Sequence, residues 1–219
     1  MGNSRNAILN RVQSALEPLD VRETARAEEY SGIVRGYRQR GALEAAGRLE
    51  LFEERLREYD GGVHRVRRAD LPGALTAKIA EVIILRGKER MAIPEGVPAE
   101  WLPAGFHFEV ADGLSATELD GFDGVLSGCT VAIALTGSLV LQNAPAQGPR
   151  KLSLVPDYHL CVVDADQIVE TVPEAMARLG PTASLPTTFI SGPSATADIE
   201  MTRIKGVHGP RFLDAILIV

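Results

Sequence analysis

The sequence predicts an α/β fold around a buried sheet, and three features carry that prediction. From about residue 60 onward, short strand-like runs alternate with amphipathic helical ones, the pattern of strands exchanged with helices across a sheet. Residues 124–149 form the longest uncharged run, and their aliphatic stretches suit strands buried on both faces. Charge is segregated as well: residues 1–70 hold 13 Lys/Arg and 12 Asp/Glu, against 10 and 17 in residues 71–219. The first third therefore reads as solvated helix and the remainder as core.

In chain order, residues 5–16 place Ile8, Leu9, Val12 and Leu16 at helical spacing, a short amphipathic helix that Pro18 follows and that needs something to pack against. Residues 21–40 fit either a second helix or an extended arm. Residues 43–59 carry an apolar stripe of Leu43, Leu49, Phe52, Leu56 and Tyr59, and Gly61-Gly62 ends that helix. A strand is expected over 63–67 and a helix over 71–85 with Pro72 in its first turn. Strands follow over 90–93 and 106–110. Ser115 and Glu118 form a capping box that starts another helix. The centre of the sheet is expected in 125–126, 131–135 and 138–141, punctuated by Thr136-Gly137-Ser138. Residues 160–163, 188–190 and 213–219 read as further strands and 172–179 as a helix. The expected organisation is an N-terminal helical extension, 1–40, and an α/β domain, 41–219.

The 219 residues suffice for one sizeable core, and a net charge of −6 argues against a generic nucleic-acid surface, which needs clustered Lys and Arg. No run of about 18 consecutive apolar residues predicts a membrane span. The first residues lack the apolar stretch of a secretory signal, and Cys129 and Cys161 stand alone without zinc or iron–sulfur spacing, so a cytoplasmic protein is expected with no cofactor of its own.

The familiar local fingerprints of nucleotide, zinc-protease and serine-hydrolase sites are absent. The chemistry-bearing residues lie in three loops at strand ends: Thr136-Gly137-Ser138 with Gln142 and Asn143, then 191–196, then His208-Gly209-Pro210. Backbone N–H groups exposed at Gly137 and Gly192, with the hydroxyls of Thr136, Ser138, Ser191, Ser194 and Thr196, could cradle a carboxylate or phosphate. The same groups could equally satisfy one another in tight turns. Asp198 and Glu200, two apart, share a face on a strand but not on a helix, so they read either as an acid/base pair or as solvated charges beside Arg203 and Lys205. His208 is either a proton shuttle or a turn histidine held by hydrogen bonds. Cys161 reads as a small core residue and Trp101 as an anchor between surface and core.

The order of Thr-Gly-Ser at 136–138, Leu-Val-Pro-Asp-Tyr-His at 154–159, Ile-Ser-Gly-Pro-Ser-Ala-Thr-Ala-Asp-Ile-Glu at 190–200 and Gly-Val-His-Gly-Pro at 206–210 resembles the lactate utilisation protein C, or LUD domain, family over residues 40–219. The resemblance implies a Rossmann-type sandwich around a mostly parallel sheet, similar to the NagB, ribose-5-phosphate isomerase and coenzyme A transferase group. It also implies the cluster-free member of a system that oxidises L-lactate to pyruvate, whose partner subunits carry the iron–sulfur clusters. On that reading the catalytic candidates are Asp198, Glu200 and His208, and the ligand-binding candidates are Thr136, Gly137, Ser138, Asn143, Ser191, Gly192, Ser194, Thr196 and Gly209. Expected partners are the iron–sulfur components and a small anion, with a homodimer left open. The implied fold also carries an alternative, a stand-alone sugar-phosphate isomerase-like or coenzyme A ester enzyme. The sequence has Leu135 where the family pattern has an acidic residue, which weakens covalent coenzyme A chemistry because that needs a carboxylate nucleophile.

Overall fold

The computed structural model describes residues 3–16, 29–34, 36–196, 204–205 and 209–219. The chain divides into two compact units, Met1–Arg38 and Gln39–Val219. In the first, helix α1 spans Asn3–Leu16. Its apolar residues Ile8, Leu9 and Val12 are all exposed. Residues 29–32 add a helical turn, and most of the remaining segment whose conformation the sequence left open lies outside the described residues.

The second unit opens with α2, Ala45–Glu58, which buries Phe52 and Leu56. Its end is a Schellman turn: the Gly61 N–H donates to Leu56 O (3.0 Å) and the Asp60 N–H to Arg57 O (2.9 Å). Asp60, rather than either following glycine, takes the left-handed conformation (φ 65°). Gly62 is needed for space instead, because a Cβ there would collide with the Asp214 carboxylate. Strand β1, Gly62–Val66, follows, then helix α3, Gly73–Leu85, whose Leu75, Ile79, Val82 and Ile83 are buried.

The main sheet has six strands: β1, then β12 (Phe212–Ile218), β7 (Tyr158–Asp164), β4 (Gly124–Ser127), β2 (Arg90–Ile93) and β3 (His107–Val110), in that spatial order. All its neighbouring pairs are parallel. Near-continuous burial along β4, β7 and β12 follows, since both faces are covered. Helix α3 covers one face, packing Ile79 and Ile83 among Leu126, Leu160, Val162 and Ile216. On the other face α2 joins Cys161, Val163, Ala215 and Leu217 to a second, smaller sheet. Helix α4, Ala116–Leu119, starts at the expected capping box: Ser115 Oγ accepts from the Glu118 N–H, and Glu118 accepts from the Ser115 N–H.

That smaller sheet corrects one expectation. Residues 131–135 and 138–141 are not central in the main sheet. Strands β5 (Val131–Ile133) and β6 (Ser138–Gln142) form an antiparallel hairpin in a separate four-stranded sheet, ordered β8 (Ile168–Val169), β5, β6, β9 (Thr187–Ile190). They are as buried as central strands because the hairpin is itself a layer: Leu139 and Leu141 face the main sheet, while Val131, Ile133 and Val140 pack on Ala175 and Leu179 of helix α5, Val172–Leu179. Only Gly124–Ser127 of that uncharged run belongs to the main sheet's interior. A short antiparallel pair, β10 (Ala195–Thr196) with β11 (Ile204–Lys205), stands apart.

Candidate functional site

The turn between β5 and β6 is built around Gly137. Ala134–Thr136 form a 3-10 turn that Gly137 closes in the left-handed conformation (φ 56°). A Cβ at this position would lie 2.8 Å from the Arg55 carbonyl carbon and the Leu56 nitrogen, so the glycine lets the turn rest directly on the backbone of α2. Its N–H donates to Ala134 O at 3.3 Å. That hydrogen bond engages the amide the sequence offered to an anion. Gly192 is similarly placed: it has φ 89°, and a Cβ would run into Tyr59, the C-cap of α2. Both glycines thus seat their loops against the same end of one helix.

This seating brings hydroxyls together. Thr136 Oγ1 lies 2.7 Å from Ser138 Oγ, which lies 2.5 Å from Ser191 Oγ. Pairing of β6 with β9, Leu139 opposite Ile190, fixes the last contact by placing Ser138 beside the residue that follows β9. From Ser191 the hydroxyl row reaches a surface hollow of about 180 Å³, lined by Arg150, Ser153, Thr188, Ser191, Gly192, Ser194 and Gly209 together with the apolar side of Leu154, Phe189, Ile190 and Pro210. Ser194 is held by its N–H donating to Pro210 O at 2.8 Å. The volume falls below the range of about 300–1,000 Å³ usual for drug-sized ligands, which suits a small organic acid. Arg150 supplies the cation, and it makes no ion pair among the described residues, whereas Arg211, next in the chain after the lining residue Pro210 but outside the lining, is committed to Asp157 at 2.5 Å.

Four predicted ligand residues, Ser191, Gly192, Ser194 and Gly209, therefore line one hollow, and Thr136 and Ser138 connect to it through hydroxyls. Gly137 supports it through packing rather than through a free amide. Asn143 does not join them: it follows β6 at the end opposite Ser138, and its N–H donates to Pro186 O at 3.0 Å. Thr196 takes part in the β10–β11 ladder through its backbone. Asp198, Glu200 and His208 lie outside the described residues. Sequence reasoning missed Arg150, because it sits in a Pro-Arg-Lys segment without a motif and joins the site only through tertiary packing.

Leu135 is exposed. Its N–H donates to Glu170 O at 3.0 Å. The Glu170 side chain is engaged elsewhere: its Oε2 accepts the N–H groups of Ala42 and Leu43, both at 2.6 Å, so it fastens the chain ahead of α2.

Three polar residues, Ser127, His159 and Asp214, are buried in the main sheet. Ser127 Oγ and His159 Nε2 lie 2.8 Å apart on adjacent strands, and burial pushes the imidazole down to about 4, so it is neutral near pH 7. Asp214 on β12 accepts from Arg86 Nε (2.6 Å) and a terminal guanidinium nitrogen (2.8 Å), with His64 Nε2 at 3.5 Å. Burial would raise this carboxyl, but the Arg86 hydrogen bonds outweigh it and hold it at about 2. Cys129 and Cys161 are buried free thiols. Among the described residues no group of three His, Cys, Asp or Glu is arranged to hold a metal, and no helix is long and apolar enough to cross a membrane.

Comparison with known proteins identifies the family. The LUD domain profile matches residues 109–218, which include every residue lining the hollow. A protein named lactate utilization protein C from Deinococcus radiodurans is 42% identical over 179 residues, covering 80% of this chain and 82% of its own. An uncharacterized protein from Neisseria meningitidis is 37% identical over 120 residues, 53% of this chain and 51% of that one. The crystal structure of a DUF162 family protein from Deinococcus radiodurans superimposes with a TM-score of 0.69 at 36% identity, covering 81% of this chain and all of that one. The chain belongs to the LUD domain family.

Proposed function

We propose that the protein serves in lactate utilisation, as the member of the system that carries no redox centre of its own, and that the hollow beside Arg150 receives a short carboxylic acid of the lactate and pyruvate class. The observation that supports this most directly is Arg150, an exposed residue without an ion pair among the described residues, in the lining of a small hollow rimmed with hydroxyls. A guanidinium grips a carboxylate through paired N–H···O bonds, and the Ser191 and Thr188 hydroxyls offer donors and acceptors to an α-hydroxyl or α-keto oxygen. The name of the Deinococcus relative supports the part of this reading that concerns lactate utilisation. The electron acceptors of such an oxidation are iron–sulfur partner proteins, and the protein works with them in the cytoplasm.

Coenzyme A chemistry has less support. No carboxylate lines the hollow among the described residues, and the Glu170 side chain is bonded to the backbone at Ala42 and Leu43. The test is genetic and biochemical together. A strain lacking the gene should fail to grow on L-lactate while growing on pyruvate, and a tagged copy should restore growth and recover iron–sulfur proteins. Normal growth of the deletion strain on lactate, with no such proteins recovered, would overturn the proposal. In the same strain Arg150→Ala, Asp198→Ala and His208→Ala each report whether that side chain is required.

A further inference from the structure

A second cavity, of about 330 Å³, opens elsewhere in the same domain. It lies at the carboxyl edge of the main sheet, lined by Gly128 just past β4, by Val162 and Asp164 at the end of β7 and by Ile218 at the end of β12. Because those strands are parallel, their carboxyl ends share one edge, and in open α/β sheets that edge is where ligands characteristically bind. Its volume falls within the range of about 300–1,000 Å³ that small-molecule sites occupy.

The walls specify a chemistry different from that of the Arg150 hollow. Trp101, on the 3-10 turn Ala99–Trp101 between β2 and β3, joins Val162 and Ile218 in an apolar lining. Among the described residues no Lys or Arg lines the cavity, so an anion finds no counter-charge in its walls. Gln147 has a fixed orientation: its Oε1 accepts from Thr130 Oγ1 and from the Gln142 N–H, both at 2.8 Å, which leaves the Nε2 donor without a hydrogen bond among the described residues. The Asp164 carboxylate takes Arg68 and the Asp166 N–H on Oδ1 and, as the cap of the following 3-10 turn, also accepts from the Gln167 N–H; of its roughly four lone-pair sites at least one on Oδ2 remains for a further donor. The lining also holds a strained residue. Ala146 adopts φ 61°, unfavourable for a side chain with a Cβ, and is held there by its N–H donating to Glu95 O (2.7 Å) and its carbonyl accepting from the Gly128 N–H (2.8 Å). Such strain persists where the surroundings impose it, and here it shapes the cavity wall.

We propose that this crevice binds a flat, uncharged, amino-substituted nitrogen heterocycle, of the adenine or cytosine type, lying against Trp101 with a ring acceptor on Gln147 Nε2 and its amino group on Asp164 Oδ2. Aromatic stacking and two hydrogen bonds of opposite sense match what the lining offers, and a nucleoside is the natural carrier of such a group.

The chain has a single tryptophan, so its fluorescence reports this cavity alone. Titration of the full-length protein with adenosine and with cytidine should change Trp101 emission saturably, without competition from L-lactate. Gln147→Glu keeps the acceptor for Thr130 and Gln142 but removes the free donor. It should weaken the response at least about tenfold, equivalent to about 1.4 kcal/mol, because one hydrogen bond is lost and a carboxylate oxygen is turned toward the ring acceptor. A thermal melt run alongside shows that the variant folds. The proposal is overturned if neither nucleoside gives a saturable change, or if a folded Gln147→Glu protein responds as the parent does.

Discussion

Removing the Arg86 side chain tests how the main sheet tolerates a carboxylate in its interior. Asp214 sits on β12 with its side chain 1% exposed, and Arg86 supplies both of its strong hydrogen bonds. At about 1.4 kcal/mol per pH unit, holding that carboxyl at about 2 rather than 3.8 contributes about 2 kcal/mol to folding near neutral pH. Arg86→Ala removes the larger part of that contribution and leaves the charge buried with the weaker support of His64 and Tyr158. The expected cost is about 3–5 kcal/mol, the range for breaking one side of a buried pair. The pH dependence carries the sign. In the parent, the lowered carboxyl contributes above about pH 4, and the contribution is lost as pH falls through about 2. In the variant, burial without Arg86 raises the Asp214 carboxyl above its ordinary value, so acid neutralises the stranded charge and the gap between the proteins narrows. Urea unfolding of both proteins over a pH series measures this. A gap below about 1 kcal/mol near neutral pH, or one that does not narrow toward acid, would refute the reasoning.

Other expectations are as direct. His159, neutral and buried at about 4 against an ordinary 6.5, contributes stability that is full above about pH 6.5 and is lost as pH falls toward 4, worth about 3 kcal/mol; a chemical-denaturation series should show that slope and His159→Gln should flatten it. Gly137→Ala should cost about 1–3 kcal/mol in the same assay, through its left-handed backbone and the clash with Arg55 and Leu56. Ser138→Ala, which removes hydrogen bonds to Thr136 and Ser191 at once, should cost about 1–2 kcal/mol and weaken any ligand held by Ser191.

The elements were legible wherever local chemistry specified them. The Ser115–Glu118 capping box, the Phe52 and Leu56 stripe and the aliphatic run that became β12 each follow from a short window of residues. Sheet membership was not. An uncharged run such as 131–141 signals burial on both faces, and a strand between two sheets or between a sheet and α5 meets that condition as well as a central strand does. The glycines at 137 and 192 were recognised as turn formers, but their close approach to α2 depends on packing across about 80 to 130 residues of chain. The hydroxyl row has the same limit: Ser138 and Ser191 lie 53 residues apart in different loops, and only β6–β9 pairing joins them. Arg150 and the Trp101 crevice carry no sequence signal of their own, since each is assembled from several loops.

The claim on which the functional account turns is that Arg150 receives a small carboxylate. Isothermal calorimetry of the full-length protein with L-lactate and with pyruvate tests it directly. Saturable binding of at least one acid is expected, abolished by Arg150→Ala in a protein whose melting temperature is unchanged. Binding that survives in Arg150→Ala, or the absence of any binding by the folded parent protein, would contradict it.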